Sequence, residues 1–125
     1  MSSFNKQTGA HGESIALSYL KSQGYTIHEK NSTSRWGEID IIAEKNTVIH
    51  FVEVKTRKST KQGRPVEAVT YLKLKKLLRS IDFYIHANGL YNRKYQIDVI
   101  GIQLNDDNKV TEMKYYPNVA RDLFL

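Results

Sequence analysis

Three charged residues stand where apolar strands would be expected to exclude them: Asp40, Glu53 and Lys55. An ionised group placed in such a run loses its hydration unless a partner replaces the water. Glu-x-Lys at a strand end alone mostly means an exposed ion pair. Two carboxylates with no histidine or cysteine among them, next to a lysine, nevertheless suggest hard-cation chemistry on phosphates, the carboxylates being the ligands. Mg²⁺ favours carboxylate and water oxygens and commonly uses one or two protein carboxylates plus a substrate phosphate. The expected cofactor is therefore Mg²⁺, with Mn²⁺ able to replace it. Asp40 and Glu53 are its expected ligands, and Lys55 is the fixed charge that orients water or stabilises a phosphorane.

The elements that must position these groups are two short runs rich in β-branched residues, Gly37-Glu38-Ile39-Asp40-Ile41-Ile42-Ala43 and Val48-Ile49-His50-Phe51-Val52-Glu53-Val54-Lys55. Their length and composition favour strands, and Glu44-Lys45-Asn46-Thr47 between them fits a hairpin connection. A turn closing on Lys45-Asn46, or looping out 44–47, pairs position 40 with 51 and 38 with 53. Alternation then puts Glu38, Asp40 and Ile42 on one face with Ile49, Phe51, Glu53 and Lys55. Asp40 and Glu53 become diagonal neighbours, about 7 Å apart. A turn of odd length would separate them.

A chain of 125 residues is expected to form a single domain, 1–125, with one hydrophobic core. With no cysteine and four scattered histidines, disulfides, thiolate metal sites and a zinc spacing are excluded. No stretch has the length of a membrane span and the N-terminus has no apolar core, so no membrane partner and a cytoplasmic location are expected. The formal charge is +6, and it is concentrated. Lys55, Arg57, Lys58, Lys61, Arg64, Lys73, Lys75, Lys76 and Arg79 face one acid, Glu67, across the same interval. Such clustering suits the phosphates of a nucleic acid, with DNA expected ahead of RNA. A solvated helix face plus a charged loop would carry the same charge.

Residues 9–23 read as a helix whose stripe runs through Ala10, Leu17 and Leu20, broadened by Ala16 and Tyr19, with Gly24 as its cap and residues 1–8 flexible before it. Glu13 falls at the spacing of that stripe, either directed towards the core or at the stripe edge. Tyr25 to Lys30 is an outer strand and Asn31 to Gly37 a loop by composition. Trp36 is expected to pack against the hairpin; exposed, it could stack on a base. Residues 56–64 read as a mobile basic loop. A second helix carries Leu74, Leu77, Leu78, Ile81, Tyr84 and Ile85, beginning at Thr70 or near Pro65 and stopping at Asn88-Gly89. Tyr95 to Leu104 and Val110 to Tyr116 are strands, followed by a tail, 118–125, that can dock on the body or on a partner. Asp98, inside an apolar strand, suits a structural hydrogen-bonding role or an approach to the site.

Gly12-Glu13-Ser14-Ile15-Ala16, Gly37 to Ala43, Phe51-Val52-Glu53-Val54-Lys55-Thr56-Arg57, and Glu67-Ala68-Val69 with Lys73 occur in an order and spacing that resembles the bacterial YraN family. That family is similar to the PD-(D/E)XK nuclease superfamily, most closely its Holliday-junction-resolvase-like members. The resemblance covers about residues 8–104. It implies an α/β, restriction-endonuclease-like core in the order α-β-β-β-α-β, here with a further C-terminal strand, the mixed sheet flanked by helices. It further implies that Asp40, Glu53 and Lys55 hold the Asp and Glu-x-Lys positions and that Glu13 is the acidic contributor of the first helix. Thr33 and the segment Asn92 to Gln96 stand where the family often has arginines. The function implied is a Mg²⁺-dependent endonuclease hydrolysing phosphodiesters, on branched DNA if it follows the resolvases, whose two-strand substrates favour a homodimer. Arg57, Lys58, Lys61, Arg64, Lys73 and Lys76 are the expected nucleic-acid contacts. A nuclease-fold binding module without efficient turnover, or a protein-interaction domain using the apolar tail, are the competing readings.

Overall fold

The computed structural model describes residues 3–58 and 70–120, with side chains from residue 7 onward. The elements are α1 (Ser3–Ser22), β1 (Thr26–Ser34), β2 (Gly37–Lys45), β3 (Val48–Arg57), α2 (Tyr71–Ala87), β4 (Lys94–Leu104) and β5 (Val110–Tyr116). This is the expected α-β-β-β-α-β order followed by a further strand. The strands form one sheet in the order β1-β2-β3-β4-β5. Only β3 and β4 run parallel; the other pairs are antiparallel. A parallel pair needs a crossover, and α2 lies on the connection between β3 and β4.

The two helices cover opposite faces. Ala16 and Leu20 of α1 pack on Ile41, Ala43, Val52, Val54, Ile100 and Ile102. Leu74, Leu77 and Ile81 of α2 pack on Ile39, Ile42, Ile49, Phe51 and Ile97. Both faces of β3 are therefore dry, which accounts for its nearly continuous apolar run. No described helix is long and apolar enough to cross a membrane.

Three expectations change in detail, and the open start of α2 is settled. Helix α1 begins at Ser3, so 3–8 are helical, and Ala10 is exposed. Ala16 and Leu20 of the expected stripe reach the sheet, with Gly12 in place of Ala10 and Leu17 beside them, and His11 Nε2 bonds Asn108 O at 2.9 Å, tying the early turns to the β4–β5 connection. Strand β1 continues through Asn31 to Ser34. Its polar composition resembles a loop because it is an edge strand with largely exposed side chains. Helix α2 starts at Tyr71 with Thr70 as its cap, one of the two expected starts: the Thr70 hydroxyl accepts from Lys73 N at 3.3 Å. The segment 59–69, with Lys61, Arg64 and Pro65, lies outside the described residues.

The third change concerns the central hairpin. Lys45 pairs with Val48 and Ile42 with Phe51, a register two residues beyond the expected 40–51 pairing. Asn46 and Thr47 both take positive φ, 53° and 67°. That is the backbone of a two-residue type I′ turn, so the turn falls at 46–47 and the even offset is kept.

Asp98 takes the structural role. Fully buried on β4, it accepts from His50 Nδ1 at 2.6 Å, Gln96 Nε2 at 2.7 Å, Asn118 N at 2.8 Å, and the Tyr115 hydroxyl. The described start of the tail docks on the body: Val119 N donates to Ile97 O at 2.8 Å, and Val119 and Ala120 pack on the α2 side. Residues 121–125 lie outside the described residues.

Candidate functional site

The hydrogen-bonded ladder between β2 and β3 ends at Ile41–Val52, just short of Asp40 and Glu53. Ile39 packs on the α2 side while Ile41 packs on the α1 side, so regular alternation is broken across Asp40. Asp40 uses its side chain where the ladder stops: Oδ2 accepts from Val54 N at 2.8 Å. The opening between the strands gives a carboxylate access to the sheet edge without a gap in the core.

Helix α1 supplies the next acid. Gly12 lies so close to the end of β3 that a Cβ at this position would collide with the Oγ1, Cβ and Cγ2 atoms of Thr56. The missing side chain lets α1 approach and brings Glu13 alongside β2. Gly→Ala within a helix ordinarily gains up to about 1 kcal/mol. Here Gly12→Ala is expected to lose about 1–3 kcal/mol, because rotating Thr56 leaves its other atoms in the way. Urea unfolding with an unchanged m-value measures the shift.

Glu13, Glu38 and Asp40 form the resulting cluster, each offering a carboxylate oxygen within 4.8 Å of the others. With its amide nitrogen turned to the acids, Asn31 donates to Glu38 Oε1 at 2.6 Å and Glu13 Oε2 at 3.0 Å. Glu53 belongs to the same electrostatic neighbourhood but not to that tight group. Its carboxylate is 3.0 Å from Lys55 Nζ, and its charge disfavours ionisation of both Asp40 and Glu13. Burial, then Glu53, push the Asp40 carboxyl up to about 8, against a weaker opposing bond from Val54 N. Glu13 is also raised, by burial first and then by Glu38. The mutual repulsion of acids crowded in this way is only partly offset by Lys55 and Lys30, whose charges lower the Asp40 and Glu13 carboxyls less than burial and the neighbouring acids raise them.

Glu38, Glu53 and Lys55 open into a cleft of about 210 Å³ between the β1–β2 turn and α2. Lys73 and Lys76 lie on the α2 wall, with Trp36 at the turn. The structure thus brings Glu13, Asp40, Glu53, Lys55, Lys73 and Lys76 to one end of the sheet. Arg57 ends β3 and Lys58 follows it, the Arg57 Nε being buried with no hydrogen-bond partner among the described residues. Lys61 and Arg64 fall in 59–69. Two members were not identified from the sequence, Glu38 and Asn31. The signal for Glu38 was its position two residues before Asp40 on the same strand; Asn31 gave none, standing in a stretch that reads as loop.

A mixed α/β domain with an acidic cluster, an adjacent lysine and a basic cleft at the end of its central hairpin is the class that fold and site define. Residues 12–102 match the family described as Uncharacterised protein family UPF0102. The chain belongs to that family, the YraN family its motifs resemble. A UPF0102 protein of Clostridium perfringens strain 13 is 40% identical over 124 residues, 99% of this chain and 98% of the relative. Another, from Clostridium acetobutylicum, is 42% identical over 118 residues, 94% of this chain and 97% of the relative. A third, from Clostridium novyi strain NT, is 45% identical over 105 residues, covering 84% and 88%.

Proposed function

We propose that this protein is a divalent-metal-dependent endonuclease that hydrolyses phosphodiester bonds, with DNA as the favoured substrate. The observation that carries the reading is the meeting of three carboxylates from α1 and β2 beside the Glu53–Lys55 pair, at the mouth of a cleft with lysines on its far wall. The donors are all oxygen, and Asp40 is held up to about 8 by burial and a neighbouring negative charge. Both features fit Mg²⁺ or Mn²⁺. Asp40, Glu53 and Glu13 would hold the ion, with Glu38 completing the carboxylate set. When bound, it supplies an acidified water and positive charge for the phosphorane.

The chain's own residues do the rest. Val54 N fixes the Asp40 carboxylate, and Asn31 fixes those of Glu13 and Glu38. Lys55, held 3.0 Å from Glu53, places a point charge where the attacked phosphate would lie. Lys73 and Lys76 attract the backbone into the cleft from α2, and Arg57 and Lys58 from the end of β3.

Incubation with Mg²⁺ or Mn²⁺ and a panel of linear, flapped and four-way DNA tests this. At least one substrate is cut by the parent, and Asp40→Ala or Lys55→Ala slows the cut by about 10²-fold or more. A parent that cuts none of them, or an Asp40→Ala variant that cuts equally well, sinks the proposal.

A further inference from the structure

Trp36 is the only tryptophan in the chain, and it is 39% exposed instead of packed into the hairpin. Ser34 pairs with Gly37, leaving Arg35 and Trp36 as a two-residue turn at the tip of β1–β2. The turn is fastened from within: Trp36 N donates to Ser34 Oγ at 3.1 Å, and that hydroxyl donates to Gly37 O at 3.3 Å. Gly37 has a φ of 133°, which a residue with a side chain rarely adopts. The indole is thus presented by a defined backbone.

Two arginines lie against it, while Glu38 and Glu53 share the cleft it lines with Lys55, Lys73 and Lys76. The guanidinium carbons of Arg35 and Arg79 lie over the ring, 4.6 and 5.4 Å from its centroid. Trp36 also lines the cleft that holds Glu53 and Lys55 on one side and Leu74 and Leu77 on the other. At about 210 Å³ the cleft is below the range of about 300–1,000 Å³ usual for whole small-molecule ligands. It suits one planar group of a longer molecule. An apolar ring beside arginines and lysines calls for a flat, weakly polar face attached to anions, which is the chemistry of a nucleotide.

We propose that Trp36 is a stacking platform for one unpaired nucleobase, so that the site takes nucleic acid with a locally unpaired nucleotide in preference to uninterrupted duplex. This rests on the nucleic-acid reading above and specifies its substrate. A base inside a duplex already has both faces covered and cannot offer one to the indole, whereas an unpaired base can. A base that stacks on the indole takes the place of a guanidinium now over the ring, and Arg35 and Arg79 then turn to the phosphates flanking the stacked base.

Because the chain has one tryptophan, its emission reports this ring alone. The full-length protein is titrated in EDTA, which prevents cleavage, with end-labelled oligonucleotides, reading anisotropy for binding and tryptophan emission for stacking. A single-stranded oligonucleotide is expected to raise anisotropy and quench emission in parallel, and a blunt, fully paired duplex of equal length to raise anisotropy with little quenching. Trp36→Ala should weaken single-strand binding about 10- to 100-fold with duplex binding unchanged, and Trp36→Phe should restore most of it. Retained duplex binding also shows that the variants are folded. Saturating anisotropy with unchanged emission, or equal weakening for both ligands, overturns the stacking role while leaving the nuclease reading intact. Equal quenching by an acidic peptide overturns the base as occupant. Failure of every oligonucleotide to raise anisotropy overturns the nucleic-acid reading as well.

Discussion

Replacing Asp40 with asparagine is expected to make the metal-free protein more stable at pH 8 and to abolish its stabilisation by Mg²⁺ or Mn²⁺. Burial and the charge of Glu53 raise the Asp40 carboxyl from an ordinary 3.8 to about 8. Between those values the folded state keeps a proton that the unfolded state has released. The raised group therefore contributes stability that is complete below about pH 4 and is lost as pH rises through about 8. Each unit of difference corresponds to about 1.4 kcal/mol. Asparagine keeps an acceptor for Val54 N without the charge, so its stability should vary less over this window. A cation bound only to the folded parent restores stability at high pH, by about 2.7 kcal/mol at a hundred times its Kd. Thermal melts of both proteins from pH 4 to 8.5, with and without metal, make the comparison. A parent whose stability rises steadily towards pH 8 without metal would contradict it.

Asp98→Ala should be the most damaging single change to the fold, costing about 3–5 kcal/mol in urea unfolding, the range for breaking a buried hydrogen-bond network. Asp98 has no exposed surface and receives four hydrogen bonds, so its loss orphans several donors at once. Burial alone would raise its pKa, but the bonds from His50, Tyr115, Asn118 and Gln96 outweigh that and hold it below the ordinary value. A depressed carboxyl works in the opposite sense to Asp40: its stabilisation is present above about pH 4 and is lost as pH falls further. Together the two acids place maximal stability of the metal-free protein on the acid side of neutrality. Tyr115→Phe removes one bond of the four and should cost about 0.5–1.5 kcal/mol, separating the hydrogen bond from the loss of the whole hub.

The element order was legible because long periodic runs report burial directly: the Leu74 to Ile85 stripe gave α2, and Val110 to Tyr116 gave β5 to the residue. β1 was shortened because an edge strand has no covered face to mark in the sequence, so Asn31 to Ser34 carried only a loop composition. The hairpin offset was legible in parity but not in register. Asn46 and Thr47 both adopt positive φ, and nothing about a threonine announces that. Asp40, Glu53 and Lys55 declared themselves as charges in apolar strands, and the structure brings them to one end of the sheet. In the sequence Glu38 is only a face-mate of Asp40, since an exposed glutamate at a strand start is ordinary; α1, brought close at Gly12, adds Glu13 beside it. Asp98 drew attention for the same reason as Asp40, and its four partners answer it as structure.

The central claim is that the carboxylates around Asp40 hold a divalent ion. Mn²⁺ titration followed by calorimetry and electron paramagnetic resonance, at pH 7.5 in buffers of different protonation enthalpy, tests it most directly. The expected result is saturable Mn²⁺ binding that Mg²⁺ competes for, with protons released as Asp40 ionises, lost in Asp40→Asn and weakened in Glu13→Gln. An absence of binding at millimolar Mn²⁺, or binding that Asp40→Asn leaves unchanged, would contradict the account.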